Sequence, residues 1–311
     1  MYRTVIVTAF LMGSAVLLRA LNPPSPEEVQ PDSQLPAQIS EDVANVLRIH
    51  DYQAAEELLI AKIKASPRRS ALLATLGGVF FLDGQYLNCA SALEKAKAAH
   101  VLDESSQFTL AMAYVKLGHN DWALMELDAL TKANPKQALY QYWSGRLDFV
   151  KQRFQDAIQK LKVAIGLDPE LVKAYDSLAL SYEALGQPDE AVRAFDEAIP
   201  RNRNSARPSP WPALDFGELL LKLGRYEEAK SYFKESLRYT PELPQAHYKL
   251  GLAYEKLGTN QAAIAELEKA VSLNHSYPEP YYALSRIYRR QGEDQLAEQA
   301  ANRFELLNKR Q

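Results

Sequence analysis

Thiols are almost missing from this chain: Cys89 is the single cysteine in 311 residues. One thiol closes no disulfide within the chain and excludes the multi-thiolate zinc sites that need several cysteines at close spacing. Histidine is scarce as well. His50, His100, His119, His247 and His275 lie far apart, and no two stand three or four residues from each other, the spacing that sets a metal-binding pair on one helix face. Nor is there an excess of one charge, since 36 Lys plus Arg against 39 Asp plus Glu leave a net charge of -3. A protein that grips phosphates usually carries a basic surplus, so nucleic acid is not expected as a partner. The 13 glycines form no phosphate-cradling loop. No catalytic residue, metal site or cofactor is therefore predicted, and Cys89, standing at a small-residue position, reads as a buried spacer rather than a nucleophile.

What is present begins with MYRTVIVTAFLMGSAVLLRALNPPSPEE. Arg3 and the amino group precede an apolar run of 15 residues, 4–18, shorter than the roughly 20 that span a bilayer. Residues 1–20 are accordingly read as a signal peptide or an N-terminal membrane anchor, and the chain as exported (periplasmic or secreted) or tethered through residues 4–18. Pro23, Pro24, Pro26, Pro31 and Pro36 mark residues 21–40 as a Pro-rich linker.

Beyond the linker the sequence repeats itself every 34 residues, in blocks starting at 70, 104, 138 and 172 and again at 210, 244 and 278. The eighth position is small throughout: Gly77, Ala111, Gly145, Ala179, Gly217, Gly251 and Ser285. So is the twentieth, from Cys89 through Ala123, Ala157, Ala191, Ala229 and Ala263 to Ala297. The fifteenth is glycine except in the third block, which has Gln152. This pattern predicts two helices joined by a tight turn: the glycine stops the first helix in the left-handed conformation, and small residues let the pair approach closely. Each pair leaves an apolar face for the next pair to cover.

The block AYDSLALSYEALGQPDEAVRAFDEAI, residues 174–199, resembles the tetratricopeptide repeat, and the likeness runs from 70 to 311. The fold expected is all-α, a right-handed α-solenoid of antiparallel helix pairs. A degenerate N-terminal repeat is placed at 41–69, with Ala55 at its twentieth position, then four repeats at 70–205 and three at 206–311. In that family, positions two, five, nine and twelve of each first helix line a groove that takes peptides or partner helices. The resemblance thus implies a protein-protein interaction scaffold or adaptor with a protein or peptide partner, or alternatively a substrate-recruiting accessory subunit of a membrane or envelope enzyme complex; self-association through the end faces is a further possibility. The groove residues it implies are Phe108, Tyr142, Arg146, Tyr248, Tyr282, Arg286 and Arg289, unless the aromatics only pad neighbouring repeats. Reversing Arg146 and Arg286 to glutamate is expected to weaken partner capture with helicity and melting unchanged. Lysine at position five and asparagine at position nine, used by chaperone-binding members to clamp a C-terminal carboxylate, occur in no block.

Two departures break the beat. Four residues are inserted before Pro210, in the stretch PRNRNSARPSPWP at 200–212. The preceding helix is expected to stop at Pro200, and the insertion to be either a slack joint or a basic lip of Arg201, Arg203 and Arg207. In the third block Ser144, Asp148 and Gln152 stand where apolar residues and glycine are expected, which predicts a local repacking around Trp143 or a soft spot.

Overall fold

The computed structural model describes residues 41–65, 71–100 and 102–309, and the predicted leader or anchor at 1–20 and linker at 21–40 lie outside them. Among the described residues there are sixteen helices and no strand. None of these helices is long and apolar enough to cross a membrane.

The helices come as antiparallel pairs. A short pair, α1 (Glu41–Arg48) and α2 (Tyr52–Ala65), occupies the degenerate repeat. Three pairs follow: α3 (Ala71–Leu82) with α4 (Tyr86–Ala98), α5 (Glu104–Lys116) with α6 (Asn120–Ala133), and α7 (Ala138–Val150) with α8 (Phe154–Leu167). The last four are α9 (Val172–Ala184) with α10 (Pro188–Asn204), α11 (Trp211–Lys222) with α12 (Tyr226–Tyr239), α13 (Pro244–Lys256) with α14 (Asn260–Leu273), and α15 (Pro278–Gln291) with α16 (Asp294–Asn308). The chain divides into two compact units between Asp168 and Pro169, so α1–α8 belong to the first and α9–α16 to the second. Within each, a pair packs on itself and on the next, which makes each unit an α-solenoid of stacked hairpins.

The turn at position fifteen shows why the beat demands glycine. At Gly84 φ is 76°. The Gly84 N–H donates to the Phe81 carbonyl at 3.1 Å and the Gln85 N–H to the Phe80 carbonyl at 2.8 Å, which satisfies the last carbonyls of α3. Gln152 makes the same turn with φ 59°, through Gln152 N–H to Phe149 O (2.9 Å) and Arg153 N–H to Asp148 O (2.8 Å). A side chain held there costs about 1 kcal/mol relative to glycine.

Small residues at position eight do what the spacing predicts. A Cβ at Gly251 would fall 2.7 Å from Cγ of Leu267, sixteen residues on in the second helix. That close approach seats a large side chain of one helix against the bare backbone of the other. Cys89 is fully buried at position twenty, and burial pushes its thiol up to about 12, so the residue is an inert spacer.

At the insertion the structure corrects the sequence reading. The helix does not stop at Pro200 but runs to Asn204 with the proline inside it. Proline has no N–H to give the Asp196 carbonyl and crowds the turn before it. The next residue is tied to the helix and to the preceding connection: Arg201 Nη1 donates to the Glu197 carbonyl at 2.7 Å and to Glu197 Oε2 at 2.6 Å, and its Nε to the Pro169 carbonyl at 2.8 Å. The loop beyond is pinned by one side chain. Asn202, 2% exposed, donates from Nδ2 to the Ser209 carbonyl at 2.8 Å and accepts the Ser209 N–H at 2.9 Å, so one amide closes the insertion at both ends. The whole insertion lies inside the second unit.

Candidate partner-binding surface

The predicted stripe is treated differently by the two units. In the first it is buried: Phe108 is 7% exposed and tilts against Tyr140 at 5.5 Å between ring centroids, and Tyr142 is 3% exposed. Phe81, Met112 and Phe149 are buried too. Phe108 thus fills contact between successive hairpins, whereas Phe81 packs edge-on to Tyr86 and Phe149 to Phe154 within their own. Arg146 is partly buried and folds over this aromatic surface, its guanidinium 4.9 Å from the Trp143 ring and 5.8 Å from the Tyr142 ring.

In the second unit the stripe comes to the surface toward α15. Tyr248 is partly buried, with its ring edge-on to Tyr277 at 5.4 Å. Tyr282 is 52% exposed, and Arg286 and Arg289, four and seven residues further along the same face, are exposed as well. Arg286 sits 5.8 Å above the Tyr282 ring, and Phe304 of α16 flanks that ring at 5.2 Å. Tyr282, Arg286 and Arg289 are thus the predicted groove residues that remain open to a partner.

The first helices of this unit are also tied together by acids that sequence reading passed over. Lys222 of α11 reaches Glu183 of α9 at 2.5 Å, and Lys249 of α13 reaches Glu218 of α11 at 3.0 Å. On α15, Arg286 takes Glu255 of α13 with two hydrogen bonds, Nε to Oε1 at 3.0 Å and Nη2 to Oε2, and Arg290 takes the same carboxylate. Burial works against the charge on Arg286, but its bonds to Glu255 outweigh that and it holds its proton more tightly than a free arginine. Each pair joins one repeat to the next. The signal was present in the sequence as Glu at position nine or twelve of one block and a cation one block later, but the lags of 39, 31 and 31 residues hide it from a fixed 34-residue comparison.

Arg201 and Arg203 of the predicted basic lip are engaged within the chain. Arg201 also stacks on Tyr175, 4.6 Å from its ring, and Arg203 binds Glu235 of α12 through Nε at 2.7 Å and Nη2 at 2.5 Å. Arg207 is exposed.

Of the polar residues of the third block, Ser144 and Asp148 are buried and Gln152 is exposed. Asp148, 1% exposed, is held by Arg153 and by Lys160 at 2.9 Å. These groups floor an open cleft of about 550 Å³ lined by Asp121, Leu124, Met125 and Asp156 among others. Among the described residues no group of three or more His, Cys, Asp or Glu is placed to hold a metal ion.

The sequence pattern of the tetratricopeptide repeat matches residues 108–171, 174–207 and 214–279. A curated relative, the Protein CTR9 homolog of Arabidopsis thaliana, is 28% identical over 105 residues, 34% of this chain, which covers about a tenth (10%) of that protein's length. Among solved structures, a tetratricopeptide repeat protein from Parabacteroides merdae aligns over 84% of this chain and 96% of its own, with TM-score 0.64 and 19% identity. PilW, a type IV pilus biogenesis factor, aligns over 63% of this chain and 90% of its own, with TM-score 0.58 and 20% identity. Likeness at these identities speaks to the fold alone. With more than half of its length matched and helix pairs recurring at a 34-residue beat, the chain belongs to the tetratricopeptide repeat family, whose members are typically non-catalytic scaffolds that bind protein partners.

Proposed function

We propose that this protein is an exported or membrane-tethered scaffold that holds a peptide or partner protein along the first-helix stripe of its second unit. The observation that carries the reading is Tyr282, a large ring left 52% exposed beside the exposed Arg286 and Arg289 on one face of α15. Exposed aromatic and arginine side chains are the types that dominate binding hot spots. The export or tether rests on the apolar run at 4–18, preceded by Arg3.

A photo-crosslinking residue placed at 282 in the native host tests the site, with the same residue at Leu87, exposed on a second helix of the first unit, as the control. A partner joined from 282 and not from 87 is expected; equal or no joining from 282 removes the reading. Fractionation of the same cells tests the location. Recovery of the chain only in the soluble cytosol, with residues 1–20 intact, would end the envelope part.

A further inference from the structure

We infer that the segment held on α15 is acidic: a peptide whose carboxylates pair with Arg289 and with the unused N–H groups of Arg286 and Arg290, while an apolar side chain rests on Tyr282. This deepens the proposed reading of the stripe and rests on it.

The charge balance at the C-terminal half of α15 is uneven. Three guanidinium groups, Arg286, Arg289 and Arg290, face one carboxylate, Glu255, which binds two of them. Among the described residues Arg289 makes no ion pair, and Glu293 and Asp294, beyond the turn at Gly292, make none with it. The pairing with Glu255 does not exhaust Arg286 or Arg290 either. A guanidinium has five N–H donors, Arg286 uses Nε and Nη2 on Glu255, and the two side chains stay 43% and 51% exposed. Arg286 and Arg289 are three residues apart, so they lie on one face within a turn of each other.

On α11 and α13 two cations are each matched by an acid of the preceding first helix, Lys249 by Glu218 and Lys222 by Glu183. Glu279, the remaining acid of α15, stands ten residues before Arg289, about 15 Å away along the axis. The surplus is therefore positive and local, and it adjoins an exposed ring flanked by Phe304. Opposite charge next to an apolar ledge selects a peptide carrying both acidic and apolar side chains. A bare anionic surface would satisfy the arginines and leave the ring without a role.

The test titrates the full chain into a fluorescently labelled short peptide alternating glutamate with leucine and tyrosine, alongside its glutamine counterpart, read by anisotropy at low and physiological ionic strength. The acidic peptide should bind more tightly than the neutral one, and the preference should shrink with salt. Arg289→Gln should weaken the acidic peptide about three- to tenfold and leave melting unchanged. Arg193→Gln, which removes the same charge from an exposed side chain of α10, should leave binding alone.

Equal affinity for the two peptides, no binding of the acidic one, or equal losses in Arg289→Gln and Arg193→Gln would overturn the acidic class. So would Arg289-dependent capture of vesicles containing phosphatidylserine in preference to the peptide. Crosslinking from 282 reports separately on the stripe: a partner captured there while the acidic peptide fails leaves the proposed function standing without this inference.

Discussion

Gly217 lies against the ring of Phe233 with no space for a side chain: a Cβ there would sit 2.6 Å from Cε1 and 2.8 Å from Cδ1. Phe233 is fully buried and belongs to the facing helix of the same pair, so neither the ring nor the backbone can yield cheaply. Gly217→Ala is expected to destabilise the second unit by about 1 to 3 kcal/mol. Urea titration followed by circular dichroism checks this, and a variant that unfolds with the parent would mean that the hairpin is looser than described.

The opposite sign is expected at the third turn. Gln152 is exposed and holds φ 59° where six other turns use glycine. Gln152→Gly should relieve the left-handed strain and stabilise by about 0.5 to 1 kcal/mol, part of the gain being offset by the freer unfolded chain. A higher melting temperature is the readout, and a lower one would contradict the turn geometry.

Asn202→Ala removes both hydrogen bonds that close the insertion and leaves the Ser209 N–H and carbonyl without that partner. A loss of about 1 to 3 kcal/mol is expected. Hydrogen exchange should show faster exchange at Ser209 in the variant; unchanged exchange there would show that the amide does not hold the loop.

Acid should weaken the second unit through Glu235. Burial pushes its carboxyl up, but the hydrogen bonds and charge of Arg203, with help from Tyr239 and Arg238, outweigh that and hold it below the usual value of 4.5. A carboxylate depressed on folding contributes stability above its unfolded pKa and loses it as pH falls through the folded one. Stability should therefore decline below about pH 4.5, and Glu235→Gln should flatten that decline. An acid limb identical in the variant would remove Glu235 as a cause.

With Arg286 paired to Glu255, charge reversal there is expected to cost stability, where the sequence alone predicted unchanged melting. Arg286→Glu would set a second carboxylate against the nearly buried Glu255, so melting should fall along with binding. Arg289→Gln is the cleaner probe because that side chain holds no ion pair among the described residues.

The repeat register was legible because each hairpin imposes the same steric demand at the same place: Gly217 under Phe233, Gly251 under Leu267, a left-handed residue at every turn. Such demands recur at a fixed lag. What escaped were arrangements without one. Pro200 looked like a helix end because local propensity disfavours it, yet α10 runs past it, with Ala198, Ile199 and Asn202 buried on either side. The exposure of the stripe was equally hidden. Tyr142 and Tyr282 occupy the same position in their blocks, but one is buried and the other open, and their neighbours rather than their own identity decide it.

The amide latch between Asn202 and Ser209 carries a last consequence. Because each hairpin touches only its immediate neighbours, extra residues tied off within a single connection disturb no register downstream; the blocks from 210 onward keep step as though nothing had been added. Connections of this kind are where such an array tolerates splicing, and a short tag inserted between Asn204 and Pro208 should be carried without loss of the hairpins on either side.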